Sequence, residues 1–391
     1  MNLEILQNEV QQFINANLKT DINKLILKGS PFNNISIQEL ANQIVAKQKS
    51  EAKLPTWFTT KNIYYPPKLS IEQTSSEITA SYKSNLISGE SIIDITGGFG
   101  IDTYYFSKHF KQVVHCEINT ELSNIVKHNY KLLDVHNIKT IAQDGLDFLA
   151  NTTQKFDCIY IDPSRRNDTK GKVFLLNDCV PNVPKNIDFL FEKTNSILIK
   201  NSPILDITST INELKFVKQI HVIAVNNEVK ELLFLLEKNY SEAIQVHTVN
   251  ILKSQHQIFN FKLQETKDIN YSLPLTYIYE PNAAILKAGA FNEVAEKLNV
   301  SKLHQHSHLY TSHELIDFPG RTFSVEHIIP FDKKEIKKHL PNLKANITIR
   351  NFPISVAEIR KKTKIKEGGN TYMFFTTNKE NKLIIIICSK Q

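Results

Sequence analysis

The chain reads as an α/β protein built on a doubly wound parallel sheet, with a helical segment before it and an α+β appendage after it. Three observations predict this. Ser91 to Gly100, SIIDITGGFG, carries an apolar strand into an acidic residue and a glycine-rich turn that opens a helix, which is how a nucleoside-binding crevice begins. From there to the neighbourhood of Tyr240, apolar strands alternate with segments of helical period, as when helices cover both faces of a parallel sheet. The remainder changes to paired alternating strands and carries most of the positive charge.

Residues 1–69 are expected to form a helical domain and linker. Leu3, Leu6, Val10, Phe13 and Ile14, then Ile22, Leu25 and Ile26, recur at helical spacing, and Ser36 with Glu39 opens a further helix. Pro55, Pro66 and Pro67 interrupt regular helix in the stretch that follows. Trp57, the single tryptophan, lies there with Phe58, Tyr64 and Tyr65; such a cluster packs domains together or stacks on bases. Ser70 is expected to cap a helix reaching Leu86, with Ile71, Ile78, Tyr82 and Leu86 as its buried face. Since that helix directly precedes the glycine strand, Gln73 and Ser76 are candidates to lie near the turn.

The second expected domain spans 70–242 and contains four polar stations, each at a strand end. Asp94, Thr96, Gly97, Gly98 and Gly100 form the turn; the glycines let backbone approach a ligand with no Cβ in the way. Gln112 to Asn119, QVVHCEIN, reads as a second strand ending in Glu117 and Ile118, one βαβ step on, where a carboxylate can accept both ribose hydroxyls. IAQDG places Asp144 and Gly145 after a short third strand, and FDCIYIDPSRR ends a fourth strand in Asp162, Pro163, Ser164 and Arg165. A fifth strand, SILIKNSP, brings Asn201 and Ser202 to the same edge; HVIAVNN reads as another strand, and Glu228 to Lys238 as a helix. A dinucleotide site of the G-x-G-x-x-G type would need glycine at position 103, where Thr103 stands.

Taken together, these residues resemble the class I S-adenosylmethionine-dependent methyltransferases, over roughly residues 70 to 240. The resemblance implies a Rossmann-like class I methyltransferase core. It assigns the glycine turn, Asp94 to Gly100, to the methionine part of the cofactor, Glu117 to the ribose and Asp144 to the adenine amine, with Ile118 and Gly145 beside them. It makes Asp162, Pro163, Ser164 and Arg165 the catalytic edge. In relatives with a D/N-P-P-[YF] motif, the first side chain and the carbonyl beside the proline orient an amine, and the aromatic stacks on the base. Here Ser164 replaces the second proline and Arg165 the aromatic, whose stacking a guanidinium plane can take over. The edge is also similar to the D-P-P-R of uracil C5-methyltransferases, but their cysteine nucleophile is missing from Ile199–Pro203, which leaves a base nitrogen as the expected acceptor.

Composition fits this reading. Cys116, Cys158, Cys179 and Cys388 lie far apart with no C-x-x-C pair, as expected of reduced thiols and not of disulfides or a metal site. MNLEILQNEVQQF is acidic and polar where a signal peptide is basic then apolar, and no run approaches a membrane span. A cytoplasmic protein is expected.

The third and fourth expected domains are an α+β connecting subdomain, 243–330, and a basic domain, 331–391. Val246 to Leu263 alternates like paired strands, Tyr279–Asn282 starts a helix through Leu298, and Lys344 to Phe375 reads strand, helix, strand. Residues 331–391 hold 14 Lys or Arg against 5 Asp or Glu, although the whole chain is only +7. Positive charge so concentrated is the mark of a phosphate-binding module, and Arg350, Arg360, Lys361, Lys362 and Lys364 are its candidate contacts. With RNFPISVAEIRKK and EGGNTY in this tail, the layout resembles a bacterial group of methyltransferases with a THUMP-like domain, which implies an RNA substrate, tRNA or rRNA. The other readings are a non-catalytic RNA-binding or assembly factor that keeps the fold, and a DNA N-methyltransferase.

Overall fold

A computed structural model describes residues 1–165, 175–263 and 269–391. They divide into two compact units, residues 1–218 with 233–241, and residues 219–232 with 242–391.

The first unit opens with helices α1 (Asn8–Ala16), α2 (Ile22–Lys28) and α3 (Ile37–Lys53), the last begun by a reciprocal Ser36–Glu39 capping box. Pro55 then starts the short α4 (Pro55–Thr59). Trp57 is fully buried, with Tyr104 edge-on at 4.8 Å between ring centroids and Phe99 at 6.4 Å. Trp57 is thus spent on packing, the first of the two uses expected of its cluster, and presents no face to a base. The single helix expected from Ser70 to Leu86 is two, α5 (Lys68–Gln73) and α6 (Glu77–Ser84), with Pro67 and Ser76 as N-caps. Ile78 is exposed, and α6 buries Glu77, Thr79, Ala80, Lys83 and Ser84 instead. The apolar stripe misled because α6 faces a polar interior.

The sheet of this unit is built from β1 (Ser91–Asp94), β2 (Gln112–Cys116), β3 (Ile138–Ile141) and β4 (Cys158–Ile161). Helices α7 (Ile101–Phe106), α8 (Thr120–Leu132) and α9 (Gly145–Asn151) follow the first three strands. The two-residue strands β5 (Ser164–Arg165) and β6 (Cys179–Val180) pair with each other. After α10 (Val183–Lys193) comes β7 (Ser196–Asn201), then α11 (Ile207–Glu213). Parallel pairing gives the order β3-β2-β1-β4-β7. The order reverses between β1 and β4, the switch point at which such sheets form their ligand crevice beyond the carboxyl ends of the strands.

Two strands span the unit boundary, β8 (Val217–Val225) and β9 (Glu228–Glu237). The second replaces the helix expected at Glu228–Lys238. Its Leu and Glu content suits a helix, but Asn226 and Asn227, both at positive φ, close a two-residue hairpin turn. Leu232–Leu236 is a continuous buried run, as in strands covered on both faces. Here burial overrides propensity.

In the second unit, β10 (Gln245–Ile251) lies parallel to β8 and antiparallel to β11 (His256–Lys262), the pair expected from the alternation. A second sheet contains β12 (Tyr277–Pro281), β13 (Ser301–Lys302), β14 (Tyr310–Ser312), β15 (Gly320–Pro330), β16 (Asn346–Arg350), β17 (Thr371–Thr377) and β18 (Leu383–Lys390), in the order β13-β14-β12-β15-β18-β17-β16. The helix expected from Tyr279 begins only after Asn282, as α12 (Ala283–Ala288) and α13 (Phe291–Lys297), interrupted at Gly289, which has φ +69°. Helices α14 (Lys333–His339) and α15 (Val356–Thr363) complete the unit. In β18, Ile385 and Ile387 join one core with Ile336 and Ile359, while Ile384 and Ile386 join another with Phe323 and Phe374. The run Ile384–Cys388 is therefore buried on both faces. All four cysteines are free and buried.

Candidate active site

The crevice is organised by Asp94, which ends β1 and is buried. Its Oδ1 accepts from the Thr96 main-chain N–H (3.0 Å) and hydroxyl (3.3 Å), and its Oδ2 from the Thr103 hydroxyl (2.7 Å). Burial pushes its pKa up to about 7, although the Thr103 and Thr96 bonds pull the other way. Asp94 and Thr96 therefore brace the turn from behind.

The turn needs its glycines for packing against protein atoms. A Cβ on Gly97 would lie 2.3 Å from Nε2 of the buried His115, and one on Gly100, already at φ +78°, 2.2 Å from the Tyr130 hydroxyl. That hydroxyl donates to the Gly100 carbonyl (2.8 Å), and the Gly97 N–H donates to Cys116 (2.7 Å). The turn is thus pinned onto β2 and α8. Gly145 does the same for α9, since a Cβ there would meet the Ile95 carbonyl at 2.4 Å.

Glu117 follows β2, and both its oxygens are engaged: Oε2 accepts from Gly98 N–H (2.9 Å) and Oε1 from Asn119 N–H (2.8 Å). A carboxylate has about four acceptor directions, so a diol can still be accepted by this preoriented group. Ile118 beside it is 71% exposed, an apolar side chain presented outward next to the carboxylate. Asp144 caps α9, its Oδ1 accepting from Leu146 (2.8 Å) and Asp147 (3.1 Å), and Oδ2 has no hydrogen bond among the described residues. Gln73 is exposed at the end of α5, and Ser76 is spent capping α6 through Thr79. Its neighbour Ser75 is the one that reaches α7, donating to Asp102.

The expected catalytic edge begins at Asp162, directly after β4. Its main-chain N–H donates to the Thr96 hydroxyl (2.7 Å), tying the edge to the glycine turn, and its carboxylate forms an ion pair with Lys200 of β7. Pro163 is half-buried, and Ser164 pairs with Val180 through β5 and β6. Arg165 contributes main chain to that ribbon; its side chain and Arg166 lie outside the described residues. Asn201 is 2% exposed, and neither its amide oxygen nor its nitrogen has a hydrogen-bond partner among the described residues.

Sequence reasoning missed Lys200 and a polar cluster behind the edge. Lys83 is fully buried; its ammonium lies 3.1 Å from Asp102 Oδ1 and donates to the Ser75 hydroxyl (2.9 Å). The Tyr160 and Ser75 hydroxyls each donate to Asp102 Oδ2 at 2.8 Å. Burial alone would raise the Asp102 pKa, but the Lys83 and Lys200 charges and these hydroxyls outweigh it and hold it below the ordinary value. A lysine inside the apolar strand SILIKN was the available signal for Lys200. Lys83 is expected near the turn from its place on the helix preceding the glycine strand, but nothing in the sequence signals its burial or its pairing with Asp102.

In the second unit, Lys361, Lys362 and Lys364 are exposed at the carboxyl end of α15, where cations also suit the helix dipole. Arg360 donates to the Ile365 carbonyl (3.1 Å). Arg350 turns elsewhere, to the buried Glu280 (2.8 Å), which also holds Arg321. The five cations therefore do not form one patch.

Fold and site together define a class I methyltransferase core joined to a THUMP-like α+β region. Residues 74–191 match the ribosomal RNA adenine dimethylase family, 277–319 a ferredoxin-like domain and 320–390 a THUMP domain-like family. A crystal structure described as a "putative methyltransferase" from Porphyromonas gingivalis W83 is 34% identical, covering 99% of this chain and 98% of that one, with a TM-score of 0.88. The chain belongs to that methyltransferase family. A Streptococcus mutans protein, also described as a "putative methyltransferase" and solved with SAH, is 13% identical over 41% of this chain and 96% of its own, TM-score 0.30. An rRNA methylase from Streptococcus thermophilus is 14% identical over 42% and 98%, TM-score 0.31. No curated protein matches. Among the described residues no helix is long and apolar enough to cross a membrane, and no group of three or more His, Cys, Asp or Glu is arranged to hold a metal.

Proposed function

We propose that the protein is an S-adenosylmethionine-dependent methyltransferase that modifies a nitrogen of an RNA base, in tRNA or rRNA. The observation that carries this reading is the link from the Asp162 N–H to Thr96, which fixes an acceptor-orienting carboxylate against the turn that would hold the cofactor. The residues fit that cofactor: Glu117 is a preoriented carboxylate for the ribose, Ile118 an exposed apolar surface for the adenine, and Asp144 has an oxygen available for its amine. Bound there, the cofactor supplies an electrophilic methyl group on a sulfonium.

The protein's share of the chemistry is then positioning. Lys200 holds one oxygen of Asp162 in an ion pair, and Asp162 accepts a hydrogen bond from the amine of the base, aiming its lone pair at the methyl. A base embedded in a duplex is first flipped out. Support for RNA comes from the THUMP-like match and from the charge concentrated in residues 331–391.

Two measurements test the reading. Calorimetry on the purified protein should detect S-adenosylmethionine binding. Mass spectrometry of RNA nucleosides from a deletion strain and from a strain carrying Asp162→Ala should show the loss of the same methylated nucleoside. Unchanged RNA nucleosides in both strains would overturn RNA as the substrate and leave the binding or assembly role and the DNA reading.

A further inference from the structure

The second unit holds a hollow of about 510 Å³, within the range of roughly 300–1,000 Å³ in which small ligands are bound. It is lined by Ile349 of β16, by Asn351, Phe352 and Pro353 of the loop that follows, by Thr377 at the end of β17 and by Leu383 at the start of β18. Asn351, Pro353 and Leu383 are exposed and the other three half-buried, so an incoming group can reach them. None of the crevice residues described above contributes to it.

Its walls are of two kinds. Phe352 packs against Phe331 and Phe375, with ring centroids 5.4 and 5.5 Å apart and planes at 90° and 78°. The ring is therefore braced before any ligand arrives, and little freedom is lost when something stacks on it. Asn351 is the polar wall. Its backbone is left-handed (φ +51°), and the Thr377 hydroxyl donates to its carbonyl (2.6 Å). His304 settles which way its amide points. The imidazole Nδ1 accepts from the His306 main-chain N–H (3.1 Å), and Nε2 donates to Asn381 Oδ1 (3.0 Å). The Asn351 nitrogen therefore donates to Nδ1 (3.0 Å), and its Oδ1 has no partner among the described residues. One acceptor and the second amide hydrogen remain available on the same planar group.

An aromatic ring beside an unengaged amide matches an unpaired nucleobase. The ring takes the face of the base, and the amide pairs with an amine and a neighbouring ring nitrogen on its edge, as adenine offers. The surroundings suit the strand that carries such a base. The turn joining Thr377 to Leu383 bears Lys379 and Lys382. Glu380 pairs with Lys382 (2.9 Å), while Lys379 is exposed and makes no ion pair among the described residues. Residues 331–391 as a whole hold 14 Lys or Arg against 5 Asp or Glu. Cations beside an aromatic platform hold single strands by phosphate and base together. An apolar protein segment would leave both the amide and the ammonium unanswered.

We propose that this hollow binds an unpaired base of the RNA, stacked on Phe352 and paired at its edge with Asn351, with the adjoining phosphate at Lys379. The inference rests on the RNA reading above and adds to it a base-binding site outside the crevice.

The test uses the full-length protein and two single-stranded probes of equal length, oligoadenylate and an abasic ribose-phosphate strand. Affinities are followed by fluorescence anisotropy over a range of salt. The wild type should bind oligoadenylate the more tightly. Phe352→Leu keeps an apolar chain against Phe331 and Phe375 and should weaken oligoadenylate by about tenfold, the loss of one stacked base. Its salt slope and its affinity for the abasic strand should not change. Asn351→Gly tolerates the left-handed backbone and should weaken oligoadenylate by about fivefold, as one neutral hydrogen bond is lost. Lys379→Gln should weaken both strands alike. Unfolding midpoints verify that the variants fold, and Asn351→Gly, at an exposed position, decides the matter if Phe352→Leu does not. Equal affinity of the wild type for the two strands, no affinity for either, or variants that bind oligoadenylate as the wild type does, overturns the site. A protein that dimerises without RNA and becomes monomeric on Phe352→Leu assigns the hollow to a second copy of the chain and overturns it too. RNA as the substrate is judged separately, by the nucleoside missing from the deletion strain, so the two readings fall independently.

Discussion

Replacing Gly97 with alanine should disturb the crevice by steric overlap alone, since this glycine has no left-handed backbone to strain. The new Cβ would sit 2.3, 2.5 and 2.6 Å from three ring atoms of His115, inside the 3.0 Å that real Cβ atoms respect. His115 is fully buried, with Tyr130 edge-on at 6.0 Å, so the ring has no open space to retreat into. Overpacking of this kind costs about 1–3 kcal/mol. The backbone relieves part of it by lifting the turn, and the Gly98 N–H then leaves Glu117, weakening cofactor affinity by roughly tenfold as a charge-assisted bond is lost. Gly98→Ala is the control: at φ +54° it meets nothing closer than 3.8 Å and should cost only the left-handed backbone, about 1–2 kcal/mol. Urea unfolding gives the stabilities and calorimetry the affinities. Removing the obstacle, in Gly97→Ala/His115→Ala, should cost less than the sum of the two single changes because the residues touch. Strictly additive losses, or a Gly97→Ala protein with unchanged stability, would refute the steric account.

Lys83→Met should destabilise the protein by about 3–5 kcal/mol by stranding the buried Asp102 carboxylate, and Lys83→Met/Asp102→Leu should recover most of it; equal midpoints for single and double variants would show that the pair is not coupled. His115 has its pKa lowered to about 4 by burial, so the folded state binds fewer protons than the unfolded one. Its contribution is full above about pH 6.5 and is lost as pH falls toward 4, by about 1.4 kcal/mol per unit. The stability of His115→Gln should fall less steeply over that window, and parallel profiles would exclude His115 as the group responsible. Neutralising Arg360, Lys361, Lys362 and Lys364 together should flatten the salt dependence of RNA binding by about 0.7–0.9 log units for each phosphate they neutralise, with cofactor affinity unchanged; an unaltered slope would make these lysines a solvated helix face.

The glycine turn and the strands β1 to β4, together with β7, were legible in the sequence because each is a local pattern: an apolar run, a polar residue at its end, and glycine where backbone must pass close. Seen from the chain alone, Gly97 and Gly100 make room for a ligand; the fold shows them making room for His115 and Tyr130, side chains that arrive from the next strand and helix. Glu228–Glu237 went the other way. Its residues favour a helix in isolation, and only the hairpin turn at Asn226–Asn227 and burial on both faces make it a strand. The partnership of Asp162 with Lys200, 38 residues apart, was likewise invisible, since pairing across a parallel sheet depends on register that no local spacing encodes. Lys83 marks the same limit: a lysine looks solvated in any sequence, and whether it is buried beside a carboxylate is decided by the elements folded around it.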